Sequence, residues 1–152
     1  MDADSIYALH FTNSAAVEAF LPAGKTPSIL TADATDPTSS SAGVFAGQLL
    51  SATLNVAFDD AGALDDCKSR TDLKVGDLVF INGVDADLLG WSVRDLLDLA
   101  NQAISGELGS GDLDLDGDGV GDVSISDLSD ALDVLNNNFD DGTSNNGNLG
   151  VS

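Results

Sequence analysis

Residues 111–128 read GDLDLDGDGVGDVSISDL and carry an acidic side chain at almost every second position before a helix-like pattern begins. The acids in the loop part of this stretch are Asp112, Asp114, Asp116, Asp118 and Asp122. Two unit charges about 4 Å apart repel by roughly 1 kcal/mol in water, and by more where solvent is excluded. Five aspartates this close together therefore predict a bound cation.

Calcium (Ca2+) is the cation that best fits the loop. It takes six to eight oxygen ligands, and alternate aspartates in a tight loop direct their carboxylates toward one point. In an EF-hand register that starts at Asp114, Gly119 falls on the sixth position, where a sharp turn is needed. The ligand positions before the last are Asp114, Asp116, Asp118, the carbonyl of Val120 and Asp122. Magnesium is disfavoured because it needs a small, rigid octahedron and retains its waters.

The closing ligand of this register is missing. The twelfth position is Ile125, where an EF-hand has a bidentate Glu, and Asp127 is the expected substitute. A second register ends on Asp127 and starts at Asp116, but it places Val120 at its fifth position, where an oxygen side chain is needed. Both registers use Asp116, Asp118 and Asp122, so these three are the firmest predicted ligands.

The whole chain is acidic, with 26 Asp and Glu residues against five Lys and Arg and a formal net charge of −21. Such a chain repels nucleic acids and anionic membrane surfaces and attracts cations. Glu occurs only twice although it is the better helix former, so the acids favour loops, caps and metal sites. Adaptation of an acidic domain to high salt, without a specific metal, is the alternative interpretation.

Hydrophobic spacing predicts a mainly α fold, a small bundle of about four helices with short extended segments and an Asp-rich, EF-hand-like calcium loop. Residues 43–58 are apolar on almost every side and predict a buried central helix. The predicted helices lie at residues 13–21, 43–58, 91–106 and 124–139. They form a single domain over residues 1–142, and residues 143–152 are predicted to be a polar, mobile tail.

The last two predicted helices resemble each other. Residues 91–98, WSVRDLLD, and residues 123–130, VSISDLSD, share Ser, a β-branched residue, Asp-Leu and Asp, 32 residues apart. Capped amphipathic helices often look alike, so a true repeat and a chance likeness both stay open. In a true repeat, Asn82, Asp85 and Asp87 are the remnant of a second, weak metal loop.

No residues indicate catalysis. His10 is the single histidine, and Cys67 is the single cysteine, flanked by acids that disfavour its thiolate. One cysteine also excludes an internal disulfide and a zinc site. The N-terminus has neither a basic start nor an apolar signal core, and no run of 18 apolar residues predicts membrane insertion.

The loop resembles known calcium loops. DLDLDGDGVGD is similar to loops of thrombospondin type 3 repeats, and VSISDL resembles the junction of loop and helix in dockerin modules, whose loop is two residues shorter. The segments VEAFLPAG, TPSIL, AGVFAGQLLSATLNVAF, INGV and NNNFDDGT resemble a little-described domain of large secreted bacterial surface proteins. This likeness implies a secreted or cell-surface origin as a fragment that lacks its signal peptide.

The leading hypothesis is therefore a non-enzymatic calcium-binding structural or adhesion module, in which Ca2+ orders the C-terminal helix. Its expected partners are calcium and neighbouring domains or another surface protein. A dockerin-like protein-docking module is the alternative.

Overall fold

The computed structural model describes residues 6–63, 74–138 and 147–151. The helices are α1 (Ser14–Phe20), α2 (Val44–Asp60), α3 (Val93–Ile104) and α4 (Ile125–Asn138), and the short strands are β1 (Leu9–His10), β2 (Ala34–Thr35), β3 (Val79–Phe80) and β4 (Leu149–Gly150). Single 3₁₀ turns occur at Val75–Asp77 and Ala86–Leu88. The predicted mainly α fold with short extended segments is confirmed.

Three of the helices begin at polar residues that cap their first turn. The Asn13 side chain accepts a hydrogen bond from the backbone N–H of Ala16 at the start of α1. The Ser92 hydroxyl accepts from the N–H of Asp95 in α3, and the Ser124 hydroxyl accepts from the N–H of Asp127 in α4, each at 3.1 Å. Such caps satisfy N–H groups that have no partner within the helix.

The core lies between α2, α3 and α4, with α2 packed most extensively on α4. The side chains that are almost completely buried include Phe20, Phe45, Phe80, Leu88, Leu96, Leu128, Leu132 and Leu149. Polar groups continue the contact of α2 with α4, because Asn136 donates to the side-chain oxygen of Gln48 at 2.7 Å and Gln48 donates to Asp133 at 2.9 Å. The last helix is therefore fixed to α2 by both apolar and polar contacts.

The central helix is only partly buried, contrary to the sequence prediction. Phe45, Leu49, Ala52 and Val56 form one buried stripe at helical spacing, whereas Phe58 is 52% exposed on another side. A helix packed against neighbours on one side leaves its remaining side chains in solvent even when they are apolar.

The end of the chain is docked on the core where a mobile tail was expected. Leu149 is 1% exposed, and β4 pairs antiparallel with β3, joining Phe80 to Leu149 in register. The amide of Asn148 donates to the side chain of buried Asn138 at 3.2 Å. The prediction of a mobile polar tail is therefore wrong for residues 147–151, because one buried leucine and a strand pairing hold them in place.

Some predictions concern residues that lie outside those the structure describes. These are Cys67, Phe139 and the first part of the expected tail, residues 143–146. Among the helices of the described ranges, none combines the length and apolar character that a membrane crossing requires.

Candidate metal centre

The acidic loop is closed at its base by a short antiparallel bridge between Leu113 and Val123. The Leu113 N–H donates to the Val123 carbonyl at 2.7 Å, and the Val123 N–H donates back at 3.2 Å. Both side chains are buried, and Leu115 packs partly on the same core. A Cβ at Gly121 would collide with the Asp112 side chain, so a glycine is needed where the chain returns to the bridge.

Three predicted ligands are brought together above this bridge. One carboxylate oxygen from each of Asp114, Asp116 and Asp122 lies within 4.8 Å of the others. Two oxygens that both bind calcium at about 2.4 Å are at most about 4.8 Å apart, so this spacing is compatible with a shared ion. The donors are hard carboxylate oxygens, which are the ligands that calcium prefers.

Backbone N–H groups hold the Asp114 carboxylate. Its two oxygens accept hydrogen bonds from Gly117 at 2.6 Å and from Gly119 at 2.7 Å. The N–H of Gly119 and then that of Gly117 lower the pKa of Asp114 below its usual value, because both donors favour the charged form. Asp114 therefore stays ionised and fixed in orientation in neutral and mildly acidic solution.

The backbone favours the register that begins at Asp114. Gly119, the sixth residue of that register, has a φ of +89°, a left-handed conformation that favours glycine. Asp114, Asp116 and Asp122 then occupy the first, third and ninth positions. In the register that begins at Asp116, the sixth residue is Gly121, which is not among the positive-φ glycines.

The remaining predicted ligands lie outside the group of three carboxylates. The Asp118 carboxylate accepts a hydrogen bond from the Val120 N–H at 2.8 Å, and the Val120 side chain is exposed. The Asp127 carboxylate accepts from the backbone N–H of Ser124 at 2.8 Å and from its hydroxyl at 2.6 Å. Asp127 thus completes a reciprocal capping box at the start of α4, a role that the ligand prediction did not include.

Asp122 connects the carboxylate group to the loop wall. Its side chain accepts a hydrogen bond from the Leu115 N–H at 2.7 Å, and its own N–H donates to the Leu113 carbonyl at 2.8 Å. It is the only half-buried member of the group, since Asp114 and Asp116 are exposed. Asp122 therefore anchors the site to the bridge.

The loop suggested as a second metal site contributes charge to the first one. Asp85 accepts a hydrogen bond from the Asp87 N–H at 3.0 Å and caps a 3₁₀ turn. The pKa of Asp87 is raised by partial desolvation, then by the negative charges of Asp85, Asp122 and Asp116. Asp87 therefore lies within electrostatic range of the acidic loop, which the sequence analysis missed although the proposed repeat was a signal for two adjacent loops.

The two loop–helix units have matching features. An antiparallel bridge joins Val79 to Ser92 ahead of α3, as Leu113 is joined to Val123 ahead of α4. Ser92 and Ser124 make equivalent caps, and the paired core residues Leu96 and Leu128 are both fully buried. These correspondences at a 32-residue offset support the interpretation as a repeat.

Comparison of this chain with family models, with curated proteins and with solved structures found no match.

Proposed function

We propose that this protein is a non-enzymatic calcium-binding structural module of a secreted or cell-surface protein, with a role in adhesion. The observation that carries the proposal is the convergence of the Asp114, Asp116 and Asp122 carboxylates within 4.8 Å. In the proposal, Ca2+ neutralises their mutual repulsion and binds between them. The chain then presents a folded domain to neighbouring domains or to another surface protein.

The loop is placed so that ion binding would stabilise the fold. Asp122 bonds to the backbone on either side of the bridge, and Val123 continues through the Ser124 cap into α4. An ion that binds only the folded loop stabilises the folded state by mass action, by about 2.7 kcal/mol at a concentration 100 times the Kd. We expect the docking of α4 on α2 to gain this stabilisation.

The identity of the ion follows from the donor set and the loop shape. Exposed, flexible carboxylates accommodate calcium, which tolerates irregular coordination, better than magnesium. Extracellular calcium modules bind with a Kd of about 10⁻⁴ to 10⁻³ M, and sensors bind more tightly. A secreted location supplies calcium in that range, so a high affinity is not required.

The test is thermal unfolding after exhaustive chelation and then in millimolar calcium or magnesium. Calcium near 100 times its Kd is expected to raise the Tm by about 5–10 °C, and magnesium by much less. Asp114→Asn with Asp122→Asn should abolish the calcium-dependent rise. A double variant with the same change of charge at exposed positions, Glu18→Gln with Asp130→Asn, should retain it. A Tm that is equal with calcium and with chelator would contradict the proposal.

A dockerin-like docking module is the second candidate, and the matched caps and bridges of the two loop–helix units favour it. In this case the helices would present a face to a protein partner. Isothermal titration distinguishes the two, because two calcium ions per chain would favour paired loops and one ion would favour the single-site structural module. Asp87→Asn should weaken the second binding event only if the loop at residues 82–87 binds metal.

A further inference from the structure

A surface groove of about 420 Å³ lies along α3, on the side that carries Trp91. Its lining residues are Gly90, Trp91, Asp95, Asp98, Leu99 and Gln102. Positions 91, 95, 98 and 102 are spaced at four, three and four residues, which places them along one face of a helix. We refer to this feature as the Trp91 groove.

The aromatic wall of the groove is held rigidly. The Trp91 carbonyl accepts a hydrogen bond from Phe80 at 3.0 Å, and its N–H donates to the Leu88 carbonyl at 3.2 Å. The indole packs partly on the core together with Leu99 and is only half buried. A partly exposed indole in a fixed position has a π-face that attracts cations.

The acidic wall consists of two carboxylates that have no partner within the described ranges. Asp95 and Asp98 are exposed, and neither carboxylate accepts a hydrogen bond or forms an ion pair there. The contrast with α4 is informative, because Asp127, the counterpart of Asp95, directs its carboxylate back to the Ser124 cap. In α3 the equivalent carboxylate instead lines the groove.

No basic side chain among the described residues lines the groove. Arg94, the nearest in sequence, points to Asp60 and Asp77 with 2.8 Å contacts. A second copy of this chain, with a net charge of −21, would be repelled. Charge complementarity therefore selects a positively charged occupant.

We propose that the Trp91 groove binds a Lys or Arg side chain presented by a basic segment of a partner protein. The cationic group lies over the indole and between the Asp95 and Asp98 carboxylates, and its alkyl stem packs on Leu99. Cation–π attraction and charge-assisted hydrogen bonds act together at such a position. This inference does not depend on the calcium proposal, because the groove contains none of the loop carboxylates.

The probe is the peptide acetyl-Gly-Lys-Gly-Lys-Gly-amide, and the control ligand is the same peptide with both lysines acetylated. Trp91 is the single tryptophan, so its fluorescence reports directly on the groove. Millimolar calcium throughout keeps the loop in one state. The lysine peptide is expected to change Trp91 emission with a saturable isotherm, and the acetylated peptide should give no change.

Variants then test the two walls by calorimetry. Asp95→Asn with Asp98→Asn should weaken binding about tenfold, and Trp91→Leu about three- to tenfold, with Trp91→Phe intermediate. The paired control Glu18→Gln with Asp130→Asn removes the same charge elsewhere and should leave the affinity within about twofold. Both Asp95 and Asp98 are exposed, so their double variant is testable even if a Trp91 variant does not fold. Equal weakening by the control pair, or equal binding of both peptides, would overturn the proposal.

Discussion

Ser124 and Asp127 hold each other at the first turn of α4. The Ser124 hydroxyl accepts from the Asp127 N–H at 3.1 Å, and the Asp127 carboxylate accepts from the Ser124 N–H at 2.8 Å. This reciprocal contact joins the end of the acidic loop to the helix that packs on α2. It explains why an aspartate two residues beyond the expected closing position of the loop has a structural use.

Removing this cap should destabilise the domain. Ser124→Ala is expected to lower the free energy of unfolding by about 1 kcal/mol, because two N–H groups lose their acceptors. Urea unfolding monitored by circular dichroism measures the change, with Ser126→Ala at the exposed neighbouring position as the control. Calcium titration of the same variant separates capping from ligation. A calcium affinity that falls strongly with Asp127→Asn but not with Ser124→Ala would return Asp127 to the ligand set.

The docked C-terminal segment should contribute to stability. Leu149→Ala is expected to lower the free energy of unfolding by about 2–4 kcal/mol, because it leaves a cavity beside Phe80 and β3. Val151 is 67% exposed, so Val151→Ala should have an effect below about 0.5 kcal/mol. Chemical denaturation of both variants provides the comparison. Equal, small effects would mean that this segment does not pack on the core in solution.

Acid should weaken the contact between Asp36 and Thr12. The Asp36 carboxylate accepts from the Thr12 hydroxyl at 2.6 Å and from its N–H at 2.7 Å, and the hydroxyl followed by the N–H lowers the Asp36 pKa below 3.8. A lowered folded-state pKa adds stability above the unfolded-state pKa, and this stability is lost as pH falls through the folded value.

The pH dependence of Asp36→Asn tests this interpretation. Asn suits the positive φ of 48° at this position but accepts more weakly and carries no charge. The variant should be less stable than the parent at pH 6, and the difference should shrink below about pH 4. Unfolding curves recorded with chelator between pH 6 and pH 2 measure it. A difference that does not change with pH would contradict the role of the charge.

Arg94 connects the start of α3 to the end of α2. It contacts both oxygens of Asp60 and one oxygen of Asp77, each at 2.8 Å. All three side chains are partly exposed, so Arg94→Gln should cost no more than about 1 kcal/mol, and less at high salt. Arg94→Lys should recover only part of the loss, because an ammonium lacks the planar fork. Urea unfolding at low and high sodium chloride gives both comparisons.

Local sequence signals predicted the helices well. Asn13, Ser92 and Ser124 act as caps where their positions before apolar, helix-spaced residues indicated them. The 3.6-residue spacing also identified the faces of α3 and α4 that are buried. These features depend on residues within one or two turns of each other, so a pattern in the chain is sufficient to find them.

Features that depend on distant residues were missed. The pairing of Leu149 with Phe80 joins parts of the chain about 70 residues apart, and a polar composition concealed it. The exposed side of α2 was missed because apolarity alone does not state how many neighbours a helix has. At the loop, spacing indicated Asp114, Asp116 and Asp122, but the partners of Asp118 and Asp127 follow from local hydrogen bonds that ligand spacing does not encode.

The bridge between Leu113 and Val123 has an evolutionary consequence. It separates residues that belong to the interior from an outer arc in which Gly117 and Gly119 meet no neighbouring atoms. Mutations in that arc can add or remove carboxylates without repacking the hydrophobic residues beneath. Relatives of this domain should therefore differ in ion dependence while they keep the same architecture, as the sparsely charged loop before α3 already illustrates within one chain.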